Sequence, residues 1–179
     1  DDETSRGLGD VYKRQPKGQT KPPNSDEPVF GNCKRLDFEL EMGVLIGSGN
    51  LLSEPIPVDE AENHVFGLSL VNDWSARDIQ TWEYIPLGPF LAKNFVTSIS
   101  PWIITLEALE PFRCKSPKQE PEPFDYLKNK NDHNFDIELE IHLQTKEMNK
   151  SCVISRTNYN YLYWNCLLYT SDAADDNTC

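Results

Sequence analysis

Basic charge is scarce in this sequence: 17 lysines and arginines stand against 29 aspartates and glutamates in 179 residues, a net charge of -12. A surface that replaces phosphate counterions needs clustered cations, so the composition disfavours a nucleic-acid partner. No apolar run approaches the roughly 18 residues of a membrane span, and the N-terminus lacks the short apolar core of a signal peptide. The cysteines, Cys33, Cys114, Cys152, Cys166 and Cys179, are odd in number and show no CxxC spacing. That argues for free thiols in a reducing compartment and against a disulfide frame or a zinc site. What is present is a hydrophobic content of 38%, enough for one sizeable core and little for two domains. Carboxylates in excess and close together favour a divalent cation.

Both ends are set apart from the domain. RGLGDVYKRQ near the start and CLLYTSDAADD near the end resemble translated adapter sequence, so residues 1–15 and 165–179 are read as non-native and 16–164 as the domain. The acidic excess survives their removal. Residues 16–34, rich in proline, read as an extended surface connection. LDFELEMGVLIG (36–47) alternates acids with apolar residues, the period of a half-buried strand, and puts Asp37, Glu39 and Glu41 on one face. After a turn through GSGN, Asp59 caps a short helix that ends near Gly67, and LSLVND (68–73) is a buried strand with Asp73 at its end. SISPWIIT (98–105) is a strand with an edge or bulge at Pro101. EALEPF is a single helical turn, and 115–134 is a charged loop. FDIELEIHLQT (135–145) turns Phe135, Ile137, Leu139, Ile141 and Leu143 inward, and SCVISRT pairs back on it as a hairpin. The class is mainly β with short helices, α+β.

The densest polar stretch is NDWSARDIQTWEYIPLGPFLAKNFVT, residues 72–97. If Asp73 opens a helix, Asp73, Arg77, Gln80 and Tyr84 lie on one stripe, four, three and four residues apart. Pro86 and Pro89 stop that helix at about Tyr84. The plain alternative is a solvated helix face with one ion pair. Two strands carry a Glu-x-Glu, which sets two carboxylates about 7 Å apart on one face, a plausible pair of ligands for a hard cation. Glu138 and Glu140 have His142 beside them. Glu39 and Glu41 are preferred because Asp73, a third oxygen donor, follows closely with a substrate-binding mix of polar groups. Lys93 and Thr97, on the following loop, add a cation and a hydroxyl.

DFELEMGVLIGSGN, HVFGLSLVNDWSARDIQTWEYIPLGPFLAKNF and ISPW together resemble the C-terminal catalytic domain of the fumarylacetoacetate hydrolase family. NDWSARD marks the wide superfamily, and WEYIPLGPFLAKNF its eukaryotic fumarylacetoacetase branch. The resemblance covers roughly residues 16–164 and implies mixed sheets rolled into a sandwich-like or barrel-like body, incomplete here. It implies hydrolysis of a carbon–carbon bond in 4-fumarylacetoacetate, a small diketo acid, to fumarate and acetoacetate, at the end of tyrosine and phenylalanine breakdown, by a cytosolic homodimer. Glu39, Glu41 and Asp73 would then ligate the catalytic Ca2+ or Mg2+, with Lys93 and Thr97 near a second, magnesium-type ion. Arg77, Gln80 and Lys93 would stabilise the oxyanion and the carbanion-like leaving group, and Gln80 and Tyr84 would contact substrate.

The resemblance has departures. Ala92, Asn94 and Val96 stand around Lys93 where the family has small residues. The family's water-activating histidine, a further aspartate ligand and downstream catalytic groups fall outside the match. His64, His133 and His142 do not stand at that histidine's position and read as structural or solvated, so this fragment is expected to be inactive alone. Two other readings are a superfamily relative acting on acylpyruvate or oxaloacetate, against which Trp82, Glu83, Tyr84 and PLGPF argue, and a non-catalytic divalent-metal-binding protein.

Overall fold

The computed structural model describes residues 16–128 and 134–171. Expectations for residues 1–15, for 172–179 and for His133 lie outside these. In chain order the strands are β1 (Lys17–Thr20), β2 (Val29–Asn32), β3 (Leu36–Asp37), β4 (Leu40–Ile46), β5 (Val65–Asp73), β6 (Ser75–Ala76), β7 (Thr97–Ile99), β8 (Ile104–Thr105), β9 (Arg113–Cys114), β10 (Asn134–Phe135), β11 (Glu138–Leu143) and β12 (Cys152–Asn158). The short helices among the described residues are α1 (Arg77–Leu87), α2 (Leu106–Leu109) and α3 (Cys166–Thr170). This is the expected mainly β, α+β class, with small sheets that do not close on themselves among the described residues. No helix among the described residues is long and apolar enough to cross a membrane. The chain divides into two compact units, Asp1–Glu41 with Leu70–Ser100, and Met42–Ser69 with Pro101–Cys179.

In the first unit, β1 and β2 form an antiparallel hairpin in register Lys17↔Asn32 to Thr20↔Val29. This corrects the reading of 16–34 as an extended connection. The prolines that suggested it stand where no ladder N–H is needed: Pro16 precedes β1 and its carbonyl accepts Cys33 N–H at 2.8 Å, and Pro22 lies in the turn, its carbonyl accepting Ser25 N–H. The single strand expected over 36–47 is two. β3 pairs with β6 through Leu36↔Ala76 and Asp37↔Ser75, and β4 lies beside β5. Asp73 does not open a helix; it is the last residue of β5, and α1 starts four residues later behind an Ala76 cap that makes no side-chain bond. Regular helix ends at Tyr84, because Ile85 precedes proline and is extended at φ -116°, ψ 127°. The core of this unit is Ala76, Ile79 and Ala92, all fully buried, with Cys33 and Phe95 against them. Gly18 runs so close beneath α1 that a Cβ there would meet Ile79 Cγ2 at 2.6 Å.

In the second unit the core gathers Ile56, Ala61, Val65, Leu68, Leu109, Phe135, Tyr159, Cys166 and Leu167. The predicted hairpin forms: β11 and β12 pair from Glu138↔Asn158 to Leu143↔Cys152, with an irregularity at Ile141 and His142. Of the inward set, Phe135 is buried, Ile137 and Leu139 pack on the core, and Leu143 is 43% exposed. Phe135 belongs to a separate pair, β9 with β10, and the Arg113 guanidinium lies 5.2 Å from its ring centroid. The expected helix after Asp59 is one 3-10 turn, Ala61–His64, entered at Glu60, because Val65 already has strand dihedrals. The helical turn predicted from EALEPF forms as α2 and a following 3-10 turn. Within 165–171, set apart above, Cys166 and Leu167 are 4% and 2% exposed in this core.

Pro101 interrupts the strand predicted over 98–105, leaving β7 and β8 on either side of it, each paired antiparallel with β5. At Gly67, paired with Thr105, a Cβ would stand 2.5 Å from the Ile104 carbonyl oxygen and 3.1 Å from its carbon. Backbone cannot step aside as a side chain can, so Gly67→Ala is expected to cost about 1–3 kcal/mol. An unchanged urea midpoint would contradict this.

Candidate metal centre

The first unit carries the expected carboxylates at one place. Glu39 and Glu41, two residues apart, share a face. Asp73 is brought to Glu39 by backbone pairing: its N–H donates to the Glu39 carbonyl at 3.1 Å. Asn72 Oδ1 accepts the Glu39 N–H at 3.1 Å, which fixes the same junction from its other side. One carboxylate oxygen each from Glu39, Glu41 and Asp73 lies within 4.8 Å of the others, the only such acidic group among the described residues.

Two cations face this group. Lys93 Nζ lies 2.6 Å from Glu39 Oε2 and 3.1 Å from Asp73 Oδ2. Arg77, at the first position of α1, spreads its guanidinium over three acceptors: Nε to Asp37 Oδ2 at 2.7 Å, one Nη to Glu39 Oε1 at 2.9 Å and the other to Gln80 Oε1 at 2.9 Å. The planar fork lets one cation reach three oxygens spread around its edge, where an ammonium would gather its acceptors about a single point. Gln80 is thereby oriented with its carbonyl oxygen on Arg77 and its amide N–H groups free of that bond.

The partners set the protonation states. The Lys93 ammonium holds the Glu39 carboxyl below its ordinary value, with Arg77 adding to it, and Arg77 does the same for Asp37. Glu41 goes the other way: burial, then the charges of Asp73 and Glu39, push it up. Burial works against the Lys93 charge, but the bonds to Glu39 and Asp73 outweigh it and its pKa is raised. The signs predict a pH dependence. Asp37 and Glu39, being depressed, contribute stability present above the ordinary carboxylate range of about 4 and lost as pH falls through and below it. Glu41, being raised, opposes folding as pH rises above that range. The midpoint of thermal melts of Glu39→Gln should therefore fall less steeply on acidification than the parent's, and that of Glu41→Gln more steeply, because protonation of Glu41 no longer offsets the loss. Parallel profiles for all three would contradict the assignment.

Asp37, Asn72 and Glu83 join the site or support it without a motif that marks them in the sequence. Asp37 was legible as the third acid on the strand face, but its bond to Arg77 depends on β3 pairing with β6. Asn72 alternates away from Asp73 along β5 and carried no signal. Glu83 Oε1 accepts the N–H groups of Phe90 and Ala92 at 2.7 and 2.8 Å, and Oε2 that of Leu91 at 3.2 Å. Two predicted residues stand apart from the cluster's bonds. Tyr84 is 61% exposed at the end of the regular helix. Thr97 is in β7 rather than a loop, opposite Asp73 in the ladder, with an exposed side chain.

The competing Glu-x-Glu is in the second unit. Glu140 there bonds Arg156, with Nε at 2.7 Å, and His142 Nε2 at 2.9 Å, while Glu138 lies 3.8 Å from Arg156. His64 Nδ1 is bonded to the Ser48 carbonyl at 2.7 Å.

An open β unit with three converging carboxylates, rimmed by a lysine and an arginine, defines a candidate cation-dependent site. A family model described as fumarylacetoacetate (FAA) hydrolase C-terminal matches residues 14–166, and the chain belongs to that family. It is 57% identical over 150 residues to the fumarylacetoacetase of Arabidopsis thaliana, covering 84% of this chain and 36% of that protein. It is 51% identical over 154 residues to that of Homo sapiens, covering 86% and 37%. The chain thus spans little more than a third of the length of these curated relatives.

Proposed function

We propose that this chain is the cation-holding part of a fumarylacetoacetase, which hydrolyses the carbon–carbon bond of 4-fumarylacetoacetate to fumarate and acetoacetate. The observation that carries this reading is the meeting of Glu39, Glu41 and Asp73 within 4.8 Å, under Arg77 and Lys93, in a chain of this family. Three hard anionic oxygens suit Ca2+ or Mg2+. Bound there, such an ion supplies Lewis-acid polarisation of the diketone oxygens. Arg77 and Lys93 present fixed N–H donors to the charge that develops on the oxyanion and on the leaving carbon, a task for groups already oriented before reaction. Gln80, its oxygen held by Arg77, turns its amide donors to substrate, and Tyr84 offers a phenol at the helix end. Lys93, through its backbone or its neighbours, and Thr97 would attend a second, magnesium-type ion. The whole protein is read as a cytosolic homodimer at the last step of tyrosine and phenylalanine catabolism.

The family's water-activating histidine falls outside the matched residues, and neither His64 nor His142 stands at its position, so the isolated chain is expected to show no turnover. The test is a chimera in which residues 16–164 replace the matching part of the Arabidopsis thaliana relative. It should hydrolyse fumarylacetoacetate and lose that activity on Lys93→Met. A folded chimera that is inactive, or that prefers an acylpyruvate or oxaloacetate, would refute the reading.

A further inference from the structure

We propose that Glu83 is a positioning residue, which fixes the turn that presents Lys93 to the carboxylate cluster. Three successive backbone N–H groups, of Phe90, Leu91 and Ala92, converge on its two oxygens at 2.7, 3.2 and 2.8 Å. The turn is closed on itself by the Phe90 carbonyl, which accepts the N–H groups of Lys93 and Asn94, both at 3.1 Å. Its far end is pinned in the core: Ala92 is fully buried against Ala76 and Ile79, and its carbonyl accepts Ala76 N–H at 2.9 Å. Lys93 is the next residue, so the root of its long side chain is set by these bonds before its ammonium reaches Glu39 and Asp73.

The chemistry requires a carboxylate at this position. Three donors need an acceptor-only group, and an ionised glutamate offers two oxygens. Glutamine keeps the length but turns an NH2 toward one of the N–H groups, donor against donor. Glu83 itself makes no bond to Glu39, Glu41 or Asp73 among the described residues; it acts through Lys93. The proposal rests on reading Lys93 as a working group of the proposed site, but it can be tested without metal or substrate.

Brief acetylation of the chain, read lysine by lysine by mass spectrometry, reports how firmly each ammonium is held. Glu83→Gln should raise labelling of Lys93 by about tenfold, the change that loss of one charge-assisted hydrogen bond brings. The exposed Lys17 in the same unit should not change. Glu83→Asp, which keeps charge and both oxygens on a shorter arm, should fall between. Unchanged Lys93 labelling in a folded Glu83→Gln chain overturns the proposal. If that variant unfolds and every lysine reacts faster, amide exchange of the unaltered chain decides: slow exchange at Phe90 and Ala92 supports the proposal, and exchange at the unprotected rate overturns it. Should the chimera above be inactive while Lys93 labelling responds to Glu83, the functional reading fails and the positioning role stands.

Discussion

Replacing Glu39 and Glu41 together by glutamine is expected to lower the affinity of this chain for Ca2+ by on the order of a hundredfold, since a unit charge near an ion contributes about 1–4 kcal/mol depending on local screening and 1.4 kcal/mol is tenfold. The two substitutions keep shape but remove two of the three anionic charges that meet there. At Glu39 the amide also sets an NH2 against Arg77 or Lys93, both of which the carboxylate accepts from, so affinities are compared at temperatures where every variant is folded. Starting affinity should be weak, because the Lys93 ammonium already neutralises Glu39 and Asp73 at 2.6 and 3.1 Å and an incoming ion must compete with it. Calorimetry of the parent, the double variant and Glu138→Gln makes the comparison. Glu138→Gln should leave affinity unchanged, since Glu140 beside it is engaged by Arg156 and His142. Equal affinity of parent and double variant would remove the assignment, and loss in Glu138→Gln would move the site to β11.

Ile79→Ala is expected to destabilise the chain by about 2–5 kcal/mol, the cost of truncating a fully buried aliphatic side chain whose surroundings collapse only partly. Ile79 is completely buried on the inner face of α1, with Ala76 and Ala92 as neighbours and Gly18 directly beneath. The neighbours are too small to fill the space. Because α1 also carries Arg77 and Gln80, the loss should spread to the site: the variant should bind Ca2+ less well at temperatures where it remains folded. Gly18→Ala opposes the same side chain from the other direction, with a Cβ at 2.6 Å from Ile79 Cγ2, a methyl on the stiff β-branch of a buried helical residue, and should also destabilise the unit. A urea midpoint for Ile79→Ala equal to the parent's would show that this small core does not hold the unit together.

Patterns of period two were legible along the chain because burial of one strand face is written into every second residue. That is why the hairpin of β11 and β12, and the acids of Glu39 and Glu41 on one face, could be read directly. Breaks within a strand were less visible. Pro101 announced the interruption between β7 and β8, whereas nothing in Phe38 or Glu39 announced the division of β3 from β4, which arises because β3 finds its partner in β6. Proline misled at 16–34, since it excludes only a ladder N–H and the hairpin there needs none at those positions. Spacing misled at Asp73, which fits a helix stripe with Arg77 as well as it fits the end of a strand.

The residue types of the candidate centre are local facts: acids alternating on a strand, an aspartate closing an apolar run, an arginine and a glutamine one turn apart, a lysine in a proline-bounded loop. Their meeting is not local. Asp73 reaches Glu39 only because backbone N–H and carbonyl groups must pair, and that pairing joins residues 34 positions apart in the sequence. Asp37 was drawn in by the reach of one planar guanidinium, and Lys93 was oriented by a glutamate ten residues before it. Hydrogen-bond satisfaction between distant segments leaves no period in the chain, so these contacts became visible only in three dimensions.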